Sequence, residues 1–324
     1  MENSLSVNNK EFIWIEKYRP KNINDIVLPE QLKNDIKVWL KNGEIPNLLL
    51  SGKIPGTGKT SLCHTLINEL GADALFVNAS LEANIDLLRN RIQGFVSTAS
   101  FDGKPKIIVL DEADFLNPNS TQPALRGFIE KFSKNARFIL TCNYKNKLIE
   151  PLRNRLIEID YDEMYTNNKA DMIKQTVIRT FNILKNEDIT FENADLKWLI
   201  DHFYPSNRKI INSLQEYSTS GTLKINKTDI DQDSLAQEII NCLIKGDFPN
   251  LKRNIEKLSD PSNIYKILYD ETGEKENTKP TFEKTKRPGI IISIAKYQSY
   301  DSMVRDRTIN AVACAVEIMT QIKG

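Results

Sequence analysis

Along the first half of the chain, short apolar runs recur, each followed by polar residues and then by a helix-spaced stretch. The runs are Leu48-Leu49-Leu50, Leu75-Phe76-Val77, Ile107-Ile108-Val109-Leu110, Phe138-Ile139-Leu140 and the segment 156–159. Runs that are apolar at every position suit strands of a parallel sheet covered on both faces. The stretches before and between them predict helices at about 30–42, 61–70, 85–96 and 120–132. After residue 160 the runs give way to helix spacing at about 168–184, 192–203 and 206–220. The last third alternates helical patterns around a charge-rich insert at 270–289, which predicts a loop. Apolar character returns at 290–294 and 308–322. The pattern therefore predicts an α/β sheet domain at 1–160, a small helical domain at 161–230 and an all-helical third domain at 231–324.

Polar groups fall repeatedly just beyond the carboxyl ends of the predicted strands, where doubly wound sheets bind ligands. The first strand runs into Pro55-Gly56-Thr57-Gly58-Lys59-Thr60. Gly56 and Gly58 permit a tight turn whose backbone N–H groups face an anion. The helix predicted from Ser61 offers its own unpaired N–H groups to the same anion. Lys59 reaches β and γ phosphates in such loops, and the Thr60 hydroxyl ligates magnesium. The pattern predicts a nucleoside-triphosphate pocket, with ATP and Mg2+ the expected cofactors.

The third strand ends in Asp111-Glu112, where Asp111 can hold magnesium through water and Glu112 can polarise the attacking water. The run Asp111-Glu112-Ala113-Asp114 also occurs in nucleic-acid helicases, but no further helicase-like set appears and the chain has one sheet domain. Asn143, after the fourth strand, can orient that water or sense the γ-phosphate. Asn78, at the end of the second, can hold Glu112 back until a signal arrives. One lysine and one metal ion leave negative charge undercompensated in the transition state, so an arginine is expected. Arg155, with Arg153 in reserve, is the candidate to reach a neighbouring subunit's nucleotide. Arg208 is the candidate to close on its own.

Composition narrows the partners without choosing among them. Net charge is +1 over 324 residues and 40% of residues are hydrophobic. No strongly basic tail exists, yet a ring of subunits can still gather positive groups around a phosphate backbone. Neither a membrane-length apolar run nor a secretory leader is visible, so a cytoplasmic location is expected, in the host cell if the chain is phage-encoded. The four cysteines, at 63, 142, 242 and 314, show no zinc or redox spacing. His64 and His202 read as structural.

These motifs resemble the clamp-loader branch of the AAA+ ATPases over about residues 14–220. Trp14-Ile15-Glu16-Lys17-Tyr18-Arg19-Pro20 resembles the family's opening motif, which implies that Tyr18, Arg19 and Pro20 lie beside adenine. Gln122-Pro123-Ala124-Leu125-Arg126 resembles the helix after the acidic motif, and Phe138 to Asn143 the first sensor. The segment 207–215, with Arg208, resembles the second sensor helix. Two departures stand out: Lys53 replaces the glycine that usually opens the phosphate loop, and Asn154-Arg155-Leu156 replaces Ser-Arg-Cys. The departures and the short C-terminal region are similar to large subunits of T-even-type bacteriophage loaders.

The resemblance implies an AAA+ P-loop core with a parallel sheet, a helical lid and a C-terminal helical collar that oligomerises. It implies a DNA-stimulated ATP hydrolase in a pentamer of four such copies and one smaller subunit. ATP binding would open a sliding clamp at primer–template DNA, and hydrolysis would release the loader. Arg89, Arg91, Lys53 and Arg126 are the implied DNA-phosphate contacts, and Phe115, Leu116, Phe128 and Ile129 the apolar candidates for the clamp. The alternatives are another AAA+ motor, such as a branch-migration motor, a replication initiator, or a weakly hydrolysing structural subunit. A small-molecule kinase would need an acceptor pocket for which no constellation is seen.

Overall fold

The computed structural model describes residues 11–81, 85–98, 104–225, 227–258, 260–273 and 282–323. Five strands form one parallel sheet: β1 (Leu48–Ser51), β2 (Asp73–Asn78), β3 (Lys106–Asp111), β4 (Arg137–Cys142) and β5 (Ile157–Asp160). Their order is β2-β3-β4-β1-β5. Leu48 pairs with Ile139 on one side and with Ile157 on the other, so the strand leading into the glycine loop is interior.

The apolar runs divide between two cores by the period-two alternation of a strand. Leu48, Leu50, Ile107, Val109 and Ile139 face one cluster, joined by Leu62, Cys63 and Leu66 from the helix Lys59–Leu70. Leu49, Ile108, Leu110, Phe138 and Leu140 face the other, with Leu88, Ile92 and Leu125. Both faces of β1, β3 and β4 are covered, which is why these strands carry no polar side, whereas Phe76 and Ile157 on the edge strands are exposed.

The chain forms two compact units, Met1–Lys224 and Ile225–Gly324. The first holds the sheet together with the helices Tyr161–Asn167, Lys169–Asn186, Asn193–Phe203 and Asn207–Tyr217. The second holds the helices Lys227–Lys245, Phe248–Glu256, Asn263–Asp270, Arg287–Tyr300 and Arg307–Lys323 around its own apolar cluster, which includes Ile239, Leu251, Ile264, Ile290 and Ile318. Of the insert expected to be a loop, residues 274–281 lie outside the described residues. Its last three belong to a helix instead: Arg287-Pro288-Gly289 opens the helix Arg287–Tyr300. Proline is tolerated there because the first turn lacks an N–H acceptor in any case.

Candidate functional site

A cavity of about 360 Å³ lies at the carboxyl ends of β1, β3 and β4. Its walls include Gly56, Gly58, Lys59, Thr60 and Ser61 from the loop and following helix. Asp111, Glu112 and Asn143 come from the other strand ends, and Arg208 from the helix Asn207–Tyr217. Pro55, Thr57, Arg19 and Pro20 also line it. Tyr18 does not: it is 2% exposed and belongs to the core behind the wall. Lys53 is exposed outside the cavity, where its N–H donates to both carboxylate oxygens of Asp162, at 3.1 and 3.0 Å.

The loop's shape has a local cause. Gly56 has φ +79° and Gly58 φ +111°, in the left-handed region that favours glycine. Three successive loop carbonyls are bonded from behind. Ser206 Oγ donates to Pro55 O (2.9 Å), Arg208 N to Gly56 O (3.1 Å), and Tyr165 Oη to Thr57 O (3.0 Å). Asn207 Nδ2 donates to Thr57 O as well (3.3 Å) and to Tyr165 Oη (2.8 Å). A Cβ on Gly56 would fall 2.6 Å from Arg208 Cβ and 2.8 Å from Ser206 Oγ. With their carbonyls held this way, the peptide units have their N–H groups left for an anion.

Lys59 is the first residue of its helix, two residues ahead of the expected start. Its ammonium donates to Gly52 O (2.7 Å) and Ile54 O (3.2 Å). Burial pushes the ammonium below its ordinary pKa, against the opposing pull of nearby acidic groups, Asp162, Asp111 and Asp114 among them. The Thr60 hydroxyl donates to Asp111 Oδ1 at 3.1 Å, bringing together two hard oxygen donors. Such a pair fits magnesium, which takes few protein ligands and fills its remaining positions with phosphate oxygens and water. Among the described residues no group of three His, Cys, Asp or Glu side chains gathers to hold a metal.

Glu112 has φ +57°, unusual for a residue with a side chain and found where surroundings enforce it. One enforcing contact is the Thr141 hydroxyl, which accepts from Glu112 N (3.1 Å) while donating to Asp111 Oδ1. Asn143 N donates to Asp114 Oδ1 (3.4 Å), and Asp114 is itself buried. The sequence places Thr141 in the sensor run but assigns it no role of its own, because threonine is an ordinary strand residue. Gln122 likewise opens a family-like motif without a role assigned to it; it is fully buried, and its Nε2 donates to Leu116 O (2.9 Å) and Lys147 O (3.0 Å) while its Oε1 accepts from Ile149 N (2.8 Å).

Several anticipated residues stand apart from the cavity. Asn78 Oδ1 accepts from Ser80 N and Ser80 Oγ, and among the described residues no hydrogen bond joins it to Glu112. Arg155 pairs with Glu130 and donates to Pro151 O, while the neighbouring Arg153 keeps a buried Nε without a partner. Arg89 is 3.8 Å from Asp86, Arg91 donates to Phe76 O (3.5 Å), and Arg126 is exposed on the helix Thr121–Lys131. Of the apolar residues considered for a clamp, Phe115 is 56% exposed, but Leu116, Phe128 and Ile129 are buried. Their spacing serves the second core, since the face that packs inward carries the same periodicity as one that binds outward. His64 stacks on Phe76 and His202 on Trp198, both away from the cavity.

Residues 48–162 match the ATPase family associated with various cellular activities (AAA). Residues 168–226 match the AAA+ ATPase lid domain of the sliding-clamp-loader large subunit. The chain is 37% identical over 222 residues to the sliding-clamp-loader large subunit of Escherichia phage RB69, covering 68% of each chain. It is 33% identical over 264 residues to the replication factor C small subunit of Saccharolobus solfataricus, covering 78% of this chain and 77% of that one. Among solved structures, the Thermotoga maritima RuvB Holliday junction branch migration motor is similar with a TM-score of 0.51 at 19% identity, over 78% of this chain and 79% of that one. At that identity the likeness concerns the fold alone.

Proposed function

The chain belongs to the AAA+ ATPases, on the branch of the sliding-clamp-loader large subunits, and from that premise we propose that it is the ATP-hydrolysing subunit of a clamp loader. One observation carries the reading. The helical segment matching the clamp-loader lid supplies Ser206, Asn207 and Arg208, and these grip the glycine loop itself. A nucleotide in the cavity would therefore be felt by the lid, as an assembly switch requires.

The loop N–H groups and the start of the helix Lys59–Leu70 bind the triphosphate. Lys59 exchanges its contacts with Gly52 O and Ile54 O for phosphate oxygens. Thr60 and Asp111 would hold magnesium, which would supply positive charge against the triphosphate. Glu112, aimed by its left-handed backbone and Thr141, takes a proton from the attacking water. The new bond forms from water oxygen to the γ-phosphorus as the β–γ bridging bond breaks, leaving ADP and phosphate. Asn143 orients the water, Arg208 stabilises the γ-phosphate in cis, and Arg155 leaves Glu130 to serve a neighbour's nucleotide. Asn78 is the candidate to restrain Glu112 until DNA is bound, a role for which it must leave Ser80.

The partners in this reading are like subunits, a smaller subunit, a sliding clamp and primer–template DNA, in the four-plus-one pentamer the resemblance implies. Arg89, Arg91, Lys53 and Arg126 meet DNA phosphates, and Phe115 is the remaining apolar candidate for the clamp. No helix among the described residues is long and apolar enough to cross a membrane.

Steady-state ATP hydrolysis by the chain with its smaller partner tests the reading, with DNA, clamp, both or neither added. Synergistic stimulation by clamp and DNA, lost in Arg155→Ala, is expected. No response to clamp would overturn the loader function. Stimulation that survives Arg155→Ala would shift the trans role to Arg153.

A further inference from the structure

Arg179 lies within the helix Lys169–Asn186, is 9% exposed, and lines the nucleotide cavity. No motif points to it. Its Nη2 donates to Tyr18 O (2.7 Å) and its Nη1 to Asp25 O. These two carbonyls immediately precede the two pairs of residues, Arg19-Pro20 and Ile26-Val27, that the segment contributes to the cavity wall. One guanidinium thus fixes both ends of a largely apolar wall, suited to the flat face of a base rather than to phosphate. The third donor, Nε, is buried and has no partner. An unpaired buried donor on a charged group is costly, and native structures rarely leave one without a reason. Burial lowers the guanidinium to about 10, against the pull of Asp25 and Tyr165, so it remains charged at neutral pH.

We propose that Arg179 is a specificity-determining residue for the nucleobase: its Nη pair fixes the 18–25 segment as the base wall, and its Nε–H donates to a ring nitrogen of adenine. This rests on the ATP reading of the cavity. Adenine offers three ring acceptors, N1, N3 and N7, whereas N1 of guanine carries a hydrogen. A fixed donor therefore rejects guanine where it meets N1, and where it meets N3 or N7, acceptors that both purines share, it selects purine over pyrimidine. Lysine at 179 can reach a carbonyl but has no planar fork and no Nε–H beside two anchored donors.

The test is atom-by-atom binding to the full chain, by competition against a fluorescent ribose-labelled ATP. The ligands are ATP, 1-deaza-, 3-deaza- and 7-deaza-ATP, GTP and tripolyphosphate, offered to the wild type, Arg179→Lys and Lys59→Met. One deaza analogue is expected to bind the wild type about 10- to 100-fold more weakly than ATP, the range for a hydrogen bond to a charged group. In Arg179→Lys that analogue and ATP should bind alike, while tripolyphosphate affinity stays at the wild-type value, because the cycle isolates the one pair of atoms. Three analogues equal to ATP in the wild type would overturn the proposal, as would a penalty that survives Arg179→Lys. If Arg179→Lys does not fold, the arginine 15Nε–1Hε resonances of the wild type decide. A resonance that moves with ATP but not with the penalised analogue or tripolyphosphate is expected, and none moving defeats the proposal. A wild type that binds neither ATP nor tripolyphosphate defeats the nucleotide reading itself. ATP binding lost in Lys59→Met without any deaza penalty defeats only the role of Arg179.

Discussion

Around the glycine loop and in the C-terminal helical unit, polar groups are buried in opposite ways. In the C-terminal unit most of them satisfy one another, with the acceptor Gln321 Oε1 the one buried atom left over among the described residues. Asn310 Nδ2 donates to Tyr265 Oη (2.7 Å) and Tyr297 O (2.9 Å), and Asp301 accepts from Ser262 Oγ (2.6 Å) and Tyr265 Oη (3.0 Å). Glu317 likewise accepts from Ser293, Lys296 and Tyr297. Near the glycine loop the bonding is one-sided. Carbonyls are taken, a buried ammonium makes do with backbone oxygens, and Arg179 keeps an idle donor. A closed network makes a scaffold rigid, whereas one with unused donors is shaped for a missing acceptor.

The largest expected effect breaks the comparison at its functional end. Lys59→Met should lower kcat/KM for ATP by about 100-fold or more, the scale of losing one charge-stabilising donor. The thermal midpoint should hold steady, because the substitution also removes a buried charge; paired turnover and melting measurements check both. Next comes Gly56→Ala, which should weaken ATP binding and cost about 1–3 kcal/mol in a urea titration, since alanine must adopt φ +79° against Arg208. The smallest effect belongs to the closed network and is read by pH. Hydrogen bonds from Lys296, Tyr297 and Ser293 draw Glu317 from 4.5 to about 2. A depressed carboxylate pKa adds stability that is complete above about pH 4.5 and fades as pH falls towards 2. At Asp301, burial raises the pKa but hydrogen bonds from Ser262, Tyr265 and Asn310 outweigh it, giving the same sign. Circular dichroism should record acid loss of the C-terminal helices, with a shallower pH slope in Glu317→Gln.

What could be read from the sequence was local. Gly56 to Thr60, Asp111, Glu112 and Asn143 stand next to strand ends, so a strand pattern alone predicts that they converge, and the structure gathers them in one cavity. The apolar runs likewise predicted a sheet covered on both faces, which holds for the three interior strands, where alternation assigns each apolar residue to one core or the other, and not for Phe76 and Ile157 at the edges. Contacts that depend on how distant helices pack were not legible. Tyr165 and Asn207 meet 42 residues apart, and Arg179 looks like any other charge on its helix. The spacing of Leu116, Phe128 and Ile129 fits a core as well as a clamp contact, because helical spacing does not say which side is wet, and burial assigns them to the core. Tyr18 sits behind the wall for the same reason: its place was inferred from a linear motif, and burial decided otherwise.

The grip of Ser206, Asn207 and Arg208 on the glycine loop has a consequence for inheritance. Recombination between two diverged relatives near residue 165 would leave every phosphate-loop letter intact in the offspring. It would nevertheless pair a loop from one parent with the latch of another, whose side chains were selected to fit a different bend at Gly56. The two stretches, some 150 residues apart along the chain, form a single heritable block, and viable chimeras should have their crossovers outside it.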